Sequence, residues 1–189
     1  MRAVHIRLLC ESQALMAVSF LFLICGSVHA QTNTSVYTPL DPKQCRTLQS
    51  DSSEGGSYLG RCPGTSGYTL LVAEGDLRQN ITVITPRGKK HSLELWQVVS
   101  GGFSSLGPKA EWRIRLQKGK SVPVALIVRY NASENPEDST KTTSYLAVAK
   151  ITPEEICVTD KISPGTSANE DARRAADVAT TRACLKTQD

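Results

Sequence analysis

Residues 111–116 read Glu-Trp-Arg-Ile-Arg-Leu, and the reading of this hexapeptide decides the fold class. Trp112, Ile114 and Leu116 share one parity, while Glu111, Arg113 and Arg115 share the other. Successive side chains leave opposite faces of a pleated chain, so a period of two describes a strand with one dry face and one wet face. Gly119 and Lys120 then turn the chain. Beyond them Val122, Val124, Leu126, Val128 and Tyr130 fall on one face, with Ala125 and Ile127 on the other. Apolar residues on both faces mark this longer strand as central, with Pro123 near its start.

Working outward, the same alternation returns at 144–151, where Tyr145, Ala147 and Ala149 oppose Leu146 and Val148. Upstream, strands are expected over 68–72, 80–85 and 91–99, separated by Gly75-Asp76 and by the turn Pro86-Arg87-Gly88-Lys89. A short last strand is expected over 155–158. The fold class expected is mainly β: an antiparallel β-sandwich or strongly curved sheet of about six to seven strands. One C-terminal helix, 168–185, completes it. Ser167 with Glu170 three residues on has the form of a capping box, and Ala168, Ala172, Ala175, Ala176, Ala179 and Ala183 form a small-residue stripe at helical spacing.

The first thirty residues read differently. Arg2 and Arg7 precede an apolar run over 14–25, about a dozen residues, which is the length of a signal-peptide core and short of the roughly 20 needed to span a bilayer. Val28-His29-Ala30 supplies a cleavage site, so residues 1–30 are expected to be a cleavable signal and the mature chain to begin at Gln31 in the periplasm or outside the cell. Residues 31–43 are polar and without period, and are expected to form a flexible arm. Residues 44–189 are expected to form one disulfide-stabilised domain.

The whole chain has 189 residues and a net charge of +4 from 22 basic and 18 acidic side chains. Loss of Arg2, Arg7 and Glu11 with the signal leaves 20 against 17, an ordinary solvated surface with no case for a nucleic-acid partner. Cys10 and Cys25 also go with the signal. Cys45, Cys62, Cys157 and Cys184 remain, an even number as an oxidising compartment favours. The pairings expected are Cys45–Cys62, closing a Gly/Ser-rich loop, and Cys157–Cys184, stapling the C-terminal helix.

One mature histidine, His91, excludes multi-histidine metal ligation and leaves a Ser/His/Asp system dependent on a single exposed turn residue. Its cationic neighbours are expected to disfavour its charged form. No phosphate-binding glycine loop stands in a strand–helix setting. No cofactor, metal site or catalytic residue is assigned. Two acids can run glycoside hydrolysis, and the carboxylates that offer such a pair are Glu74, Asp76, Glu94 and Glu111, with Trp96 beside Glu94 able to stack a sugar.

The binding candidates are Arg87, Lys89 and Lys90 on a basic turn, joined by Lys109, Lys118 and Lys120 if the turns cluster, and Trp96, Arg113 and Arg115 on wet sheet faces. The function expected is an exported, non-enzymatic binding protein for another protein, an envelope polymer or an anionic surface. The alternatives are a small carboxylate-dependent hydrolase and a structural or stress-related envelope component. Asn33, Asn80 and Asn131 begin N-x-S/T sequons.

Overall fold

The strands differ in how many of their faces are hidden, and the way they are hidden explains the architecture. The computed structural model describes residues 33–53, 56–138 and 140–187; the expected export signal at 1–30 lies outside them. In chain order the elements are β1 (Thr34–Pro39), β2 (Arg46–Asp51), β3 (Ser57–Pro63), β4 (Thr69–Gly75), β5 (Arg78–Ile84) and β6 (Lys90–Ser92). There follow the one-turn helix α1 (Leu95–Val98), β7 (Ser104–Gln117), β8 (Lys120–Ser133), β9 (Thr142–Ile151), β10 (Ile156–Ile162) and the helix α2 (Ala168–Val178). One antiparallel sheet has the order β1-β7-β8-β9-β10 and the other β2-β3-β4-β5-β6.

The two sheets enclose the main core. Trp112, Leu126, Val128 and Tyr130 face Leu70, Val72, Ile81 and Val83 across it. A second, smaller core lies on the outer side of the first sheet, where Ala172, Ala175, Ala176 and Ala179 rest on Ala125, Ile127, Leu146 and Val148. Small side chains let α2 approach the sheet closely. Strand β8 is therefore covered on both faces, which an antiparallel strand usually is not, and its residues from Val124 to Val128 are all buried.

Among the described residues ten strands are present where about six to seven were expected from alternation. Strand β1 lies in the segment expected to be a flexible arm, and it pairs with β7 from Thr34↔Ile114 to Pro39↔Lys109. Strands β2 and β3 occupy the segment between Cys45 and Cys62 expected to be loop. Edge strands whose side chains mostly meet water carry little apolar period, and all six residues of β2 are exposed. The strand expected over 91–99 is only β6, after which Glu94 takes a left-handed φ of 48° and the chain turns into α1. Helix α2 ends at Val178 and passes into a single 3-10 turn, Ala179–Thr181, so it stops short of residue 185. The Ser167 hydroxyl makes no backbone cap; it donates to Asp171 Oδ2 at 2.7 Å.

Both expected disulfides are present, Cys45–Cys62 and Cys157–Cys184. The second closes 27 residues and pins the C-terminal strap, where Leu185 N–H also donates to Val158 O at 2.8 Å. A loop of that length restricts the unfolded chain enough that Cys157→Ser with Cys184→Ser is expected to cost about 3–4 kcal/mol in denaturant unfolding. An unchanged midpoint would show that the bridge is incidental.

Candidate functional site

The concavity that best combines exposure, charge and an aromatic ring is built by the β4–β5 hairpin and α1. Gly75 pairs with Arg78, so Asp76 and Leu77 form a two-residue turn, and both have positive φ, 50° and 57°. That geometry suits the right-handed twist of a hairpin, but Asn and Gly are the residues that adopt it readily. A leucine there costs about 1–2 kcal/mol relative to glycine, and Leu77 recovers nothing by burial, being 53% exposed. Glu94, also left-handed, precedes α1. Backbone strain of this kind persists where the surroundings enforce it, and it concentrates at functional sites.

Helix α1 buries Leu95 and Val98, and that choice of inner face turns Trp96 outward, 43% exposed. Asn80 fixes the start of the helix: its Oδ1 accepts from Leu95 N–H at 3.0 Å while its Nδ2 donates to Ser92 Oγ at 2.8 Å. Arg78 forms an ion pair with Asp76, donates from Nε to Gly101 O at 3.0 Å, and lies over the exposed Phe103 ring at 5.2 Å. Glu74 accepts from Gln79 Nε2 at 2.5 Å. Glu74, Asp76, Arg78, Asn80, Trp96 and Gln97 line a concavity of ≈ 700 Å³, inside the range of about 300–1,000 Å³ that small-molecule sites occupy. Two carboxylates against one guanidinium leave it mildly acidic. The Trp96 indole N–H and the Gln97 amide have no hydrogen-bond partner among the described residues.

A second concavity, ≈ 350 Å³, lies between α2 and the first sheet beside Tyr37, Lys109, Glu111, Arg129 and Arg173. Its charged groups already have partners within the protein, although only Arg173 and Glu111 neutralise each other. Arg173 grips Glu111 through Nε at 2.7 Å and reaches Tyr37 Oη at 2.9 Å; Arg129 donates to Ser144 Oγ at 2.8 Å; Lys109 lies over the Tyr37 ring. Partial burial opposes ionisation of Glu111, but hydrogen bonds from Arg173 and Ser35 outweigh it and hold the carboxyl below its ordinary value. That carboxylate is a structural anchor for the helix, not a proton donor.

The candidates named from sequence separate into three places. Trp96 lines the larger concavity. Arg87, Lys89 and Lys90 stand on the β5–β6 turn, at the far end of β5 from Arg78. There the His91 imidazole is held below its ordinary value, by partial burial first and by Lys89 second. Arg113 and Arg115 lie beneath α2, and the expectation that they present a wet binding face is corrected. Arg113 is 7% exposed, with Nε 2.9 Å from Asp177 Oδ1 and Nη2 3.1 Å from Oδ2, and Arg115 Nε donates to Asn33 Oδ1 at 3.2 Å. Both side chains do leave the face opposite Trp112, as their parity requires, but a helix covers that face.

Glu94 and Glu111 belong to different layers and do not converge, whereas Glu74 and Asp76 do share the Trp96 concavity. Glu155 approaches Cys157 and Cys184, but those sulfurs are bonded to each other and Glu155 pairs with Lys150 at 2.8 Å. Arg78, Asn80, Gln97 and Phe103 were missed in the sequence. The one signal they left is Leu77, an isolated apolar residue at the tip of a polar turn.

The two disulfides point to an oxidising, exported environment, and no helix among the described residues is long and apolar enough to cross a membrane. No protein-family model, no curated protein and no solved structure matches this chain.

Proposed function

We propose that this is an exported, non-enzymatic binding protein that takes a neutral sugar unit of an envelope or extracellular polysaccharide in the Trp96 concavity. The observation that carries the reading is a half-exposed indole set beside carboxylate, guanidinium and amide groups around one hollow. A pyranose offers one apolar face of C–H groups and a rim of hydroxyls. The ring of Trp96 suits the first, and Glu74, Asp76 and Gln97 suit the second, as acceptors and donors that fix orientation. The acidic balance of the hollow disfavours an acidic polymer at this point. Asn80, bonded to Leu95 N–H and to Ser92 Oγ, holds the start of α1 and so the segment that carries Trp96, which limits the ordering that binding requires.

The test uses the two tryptophans. Trp112 is fully buried and Trp96 is half-exposed, so a change in fluorescence on titration with neutral oligosaccharides reports Trp96. Saturable quenching or a blue shift is expected, and Trp96→Ala is expected to weaken binding about 30-fold, the size of a hot-spot residue near 2 kcal/mol. Equal affinity in that variant would remove the site. The sharing of one hollow by Glu74 and Asp76 favours a carboxylate hydrolase as the second reading. New reducing ends released from the same oligosaccharides, and lost in Glu74→Gln, would establish it in place of simple binding.

A further inference from the structure

The end of the sandwich remote from Trp96 is assembled from turns of both sheets. The Ser66 hydroxyl of the β3–β4 turn donates to Ser121 O beside the β7–β8 turn at 3.1 Å. Gly67 of the same turn packs on Pro86 of the β5–β6 turn. Lys89 Nζ of that turn reaches Glu154 O, between β9 and β10, at 3.5 Å. The turns carrying Arg87, Lys89, Lys90, Lys118 and Lys120 are therefore gathered at one end, and all five of these side chains are exposed. Lys109 does not belong to this group, since it sits over Tyr37 near the smaller concavity.

Two further features single this end out. Among the described residues, none of those five cations is in a salt bridge. Arg46 and Arg61 are directly opposite each other in the β2–β3 pairing, both exposed and likewise outside any salt bridge. Like charges at opposed positions repel, an arrangement that an external anion would relieve. The basic end also holds Glu154 and Glu155 of the β9–β10 turn, the second paired with Lys150 at 2.8 Å, so cations still outnumber carboxylates there. The other end of the sandwich has the reverse character: Asp51, Glu74, Asp76, Glu134, Glu137 and Asp138 stand there against Arg78, Lys141 and Lys161. A nearly neutral chain is thus electrically polar along its strands.

We propose that the basic end docks the protein on a bilayer surface rich in anionic lipid, so that the Trp96 concavity at the acidic end faces away from it. The shape of the end favours a lipid surface over a linear polyanion. Its cations sit on the tips of separate turns, not along a groove, and they line neither concavity described above. Leu116, 60% exposed, stands next to Lys118 at the β7–β8 turn, which places an apolar side chain where it can enter the headgroup layer. Several juxtaposed cations bind such a surface additively and within a Debye length, about 8 Å at physiological salt. This inference concerns a surface separate from the Trp96 hollow and does not depend on what that hollow binds.

Co-sedimentation with vesicles tests it. The protein is expected to pellet with phosphatidylcholine vesicles containing phosphatidylglycerol, to stay in solution with phosphatidylcholine alone, and to be released by added salt. Each neutralised cation is expected to lower partitioning about fivefold, so Arg87→Gln with Lys89→Gln and Lys90→Gln is expected to lower it roughly 100-fold. Lys118→Gln with Lys120→Gln provides a second variant on an independent turn, and circular dichroism confirms that both variants keep the fold. Failure of the protein to pellet with anionic vesicles would overturn the proposal, as would pelleting that neither variant weakens. Salt-sensitive binding to heparin without vesicle binding would also overturn it, in favour of a linear polyanion.

Discussion

Replacing Trp112 by alanine is expected to lower the unfolding free energy by about 3–5 kcal/mol, the range for truncating a fully buried large aromatic. Trp112 is 0% exposed at the centre of the main core, between the two sheets. Its ring lies 6.0 Å from that of Tyr68, and it packs so closely on the β3–β4 turn that a Cβ on Gly64 would meet its ring at 3.1 Å. The indole N–H donates to Thr38 Oγ1 at 2.9 Å, and Thr38 is itself buried on β1. Truncation therefore opens a cavity, leaves a buried hydroxyl without its donor and loosens β1 from the sheet edge. Trp112→Phe keeps most of the volume and loses the hydrogen bond, so it is expected to cost less, about 1–2 kcal/mol. Urea unfolding of the two variants separates the packing part from the polar part. Equal losses in both would mean that the ring volume contributes nothing, contrary to this account.

Trp112 also shows why the core was legible in the sequence while much around it was not. Parity over 111–116, 122–130 and 144–151 identifies most of the inward side chains, because burial of one face imposes a period of two; Leu116, which has the parity of Trp112 but is 60% exposed near the end of β7, is the exception. Strands β1, β2 and β3 left no such period. Six exposed residues in β2 have no dry face to mark. The segment after His91 departs from the expected strand for a different reason. Leu93 and Leu95 alternate like a strand, and Val98 follows, but the left-handed turn at Glu94 that converts the run into a helical turn has no residue signature. Glycine or asparagine would have announced it.

The site was half-legible on the same grounds. An exposed tryptophan could be proposed from Trp96, but its neighbours Glu74, Asp76 and Arg78 come from a hairpin turn that only the β4–β5 register places beside it. Arg113 and Arg115 show the limit of parity more sharply. Parity says that a side chain points away from one core; it does not say that water waits on the other side. The alanine stripe of α2 and the charged face of β7 were both visible in the sequence. Their meeting was not, because nothing local specifies which face of the sandwich a terminal helix covers.

That meeting sets the second large effect. Asp177→Ala is expected to cost about 2–4 kcal/mol, because breaking a buried ion pair strands the remaining charge in a place where water reaches it poorly. The side chain of Arg113 is 9% exposed and that of Asp177 38%, so the aspartate can be hydrated when alone and the arginine cannot. Ser35 Oγ at 2.5 Å and Asn33 O at 3.0 Å still accept from Arg113, and Glu111 lies 4.0 Å away, which keeps the loss below that of a lone buried ion. Arg113→Met combined with Asp177→Leu removes both charges and keeps apolar volume, and it is expected to restore most of the stability lost by Asp177→Ala. The same clasp carries an acid dependence through Glu111. Its carboxyl ionises more readily in the folded protein than in the unfolded chain, so its contribution is present in full above the unfolded value, about 4.3, and is lost as pH falls through the lower folded value. Stability measured from neutral pH downward is therefore expected to decline more steeply in the natural chain than in Glu111→Gln. If Asp177→Ala unfolds at the same denaturant concentration as the natural chain, the helix is held by its alanine contacts alone and the charge cluster plays no part in seating it; a double variant as unstable as Asp177→Ala would instead trace the loss to the missing pair, not to a stranded charge.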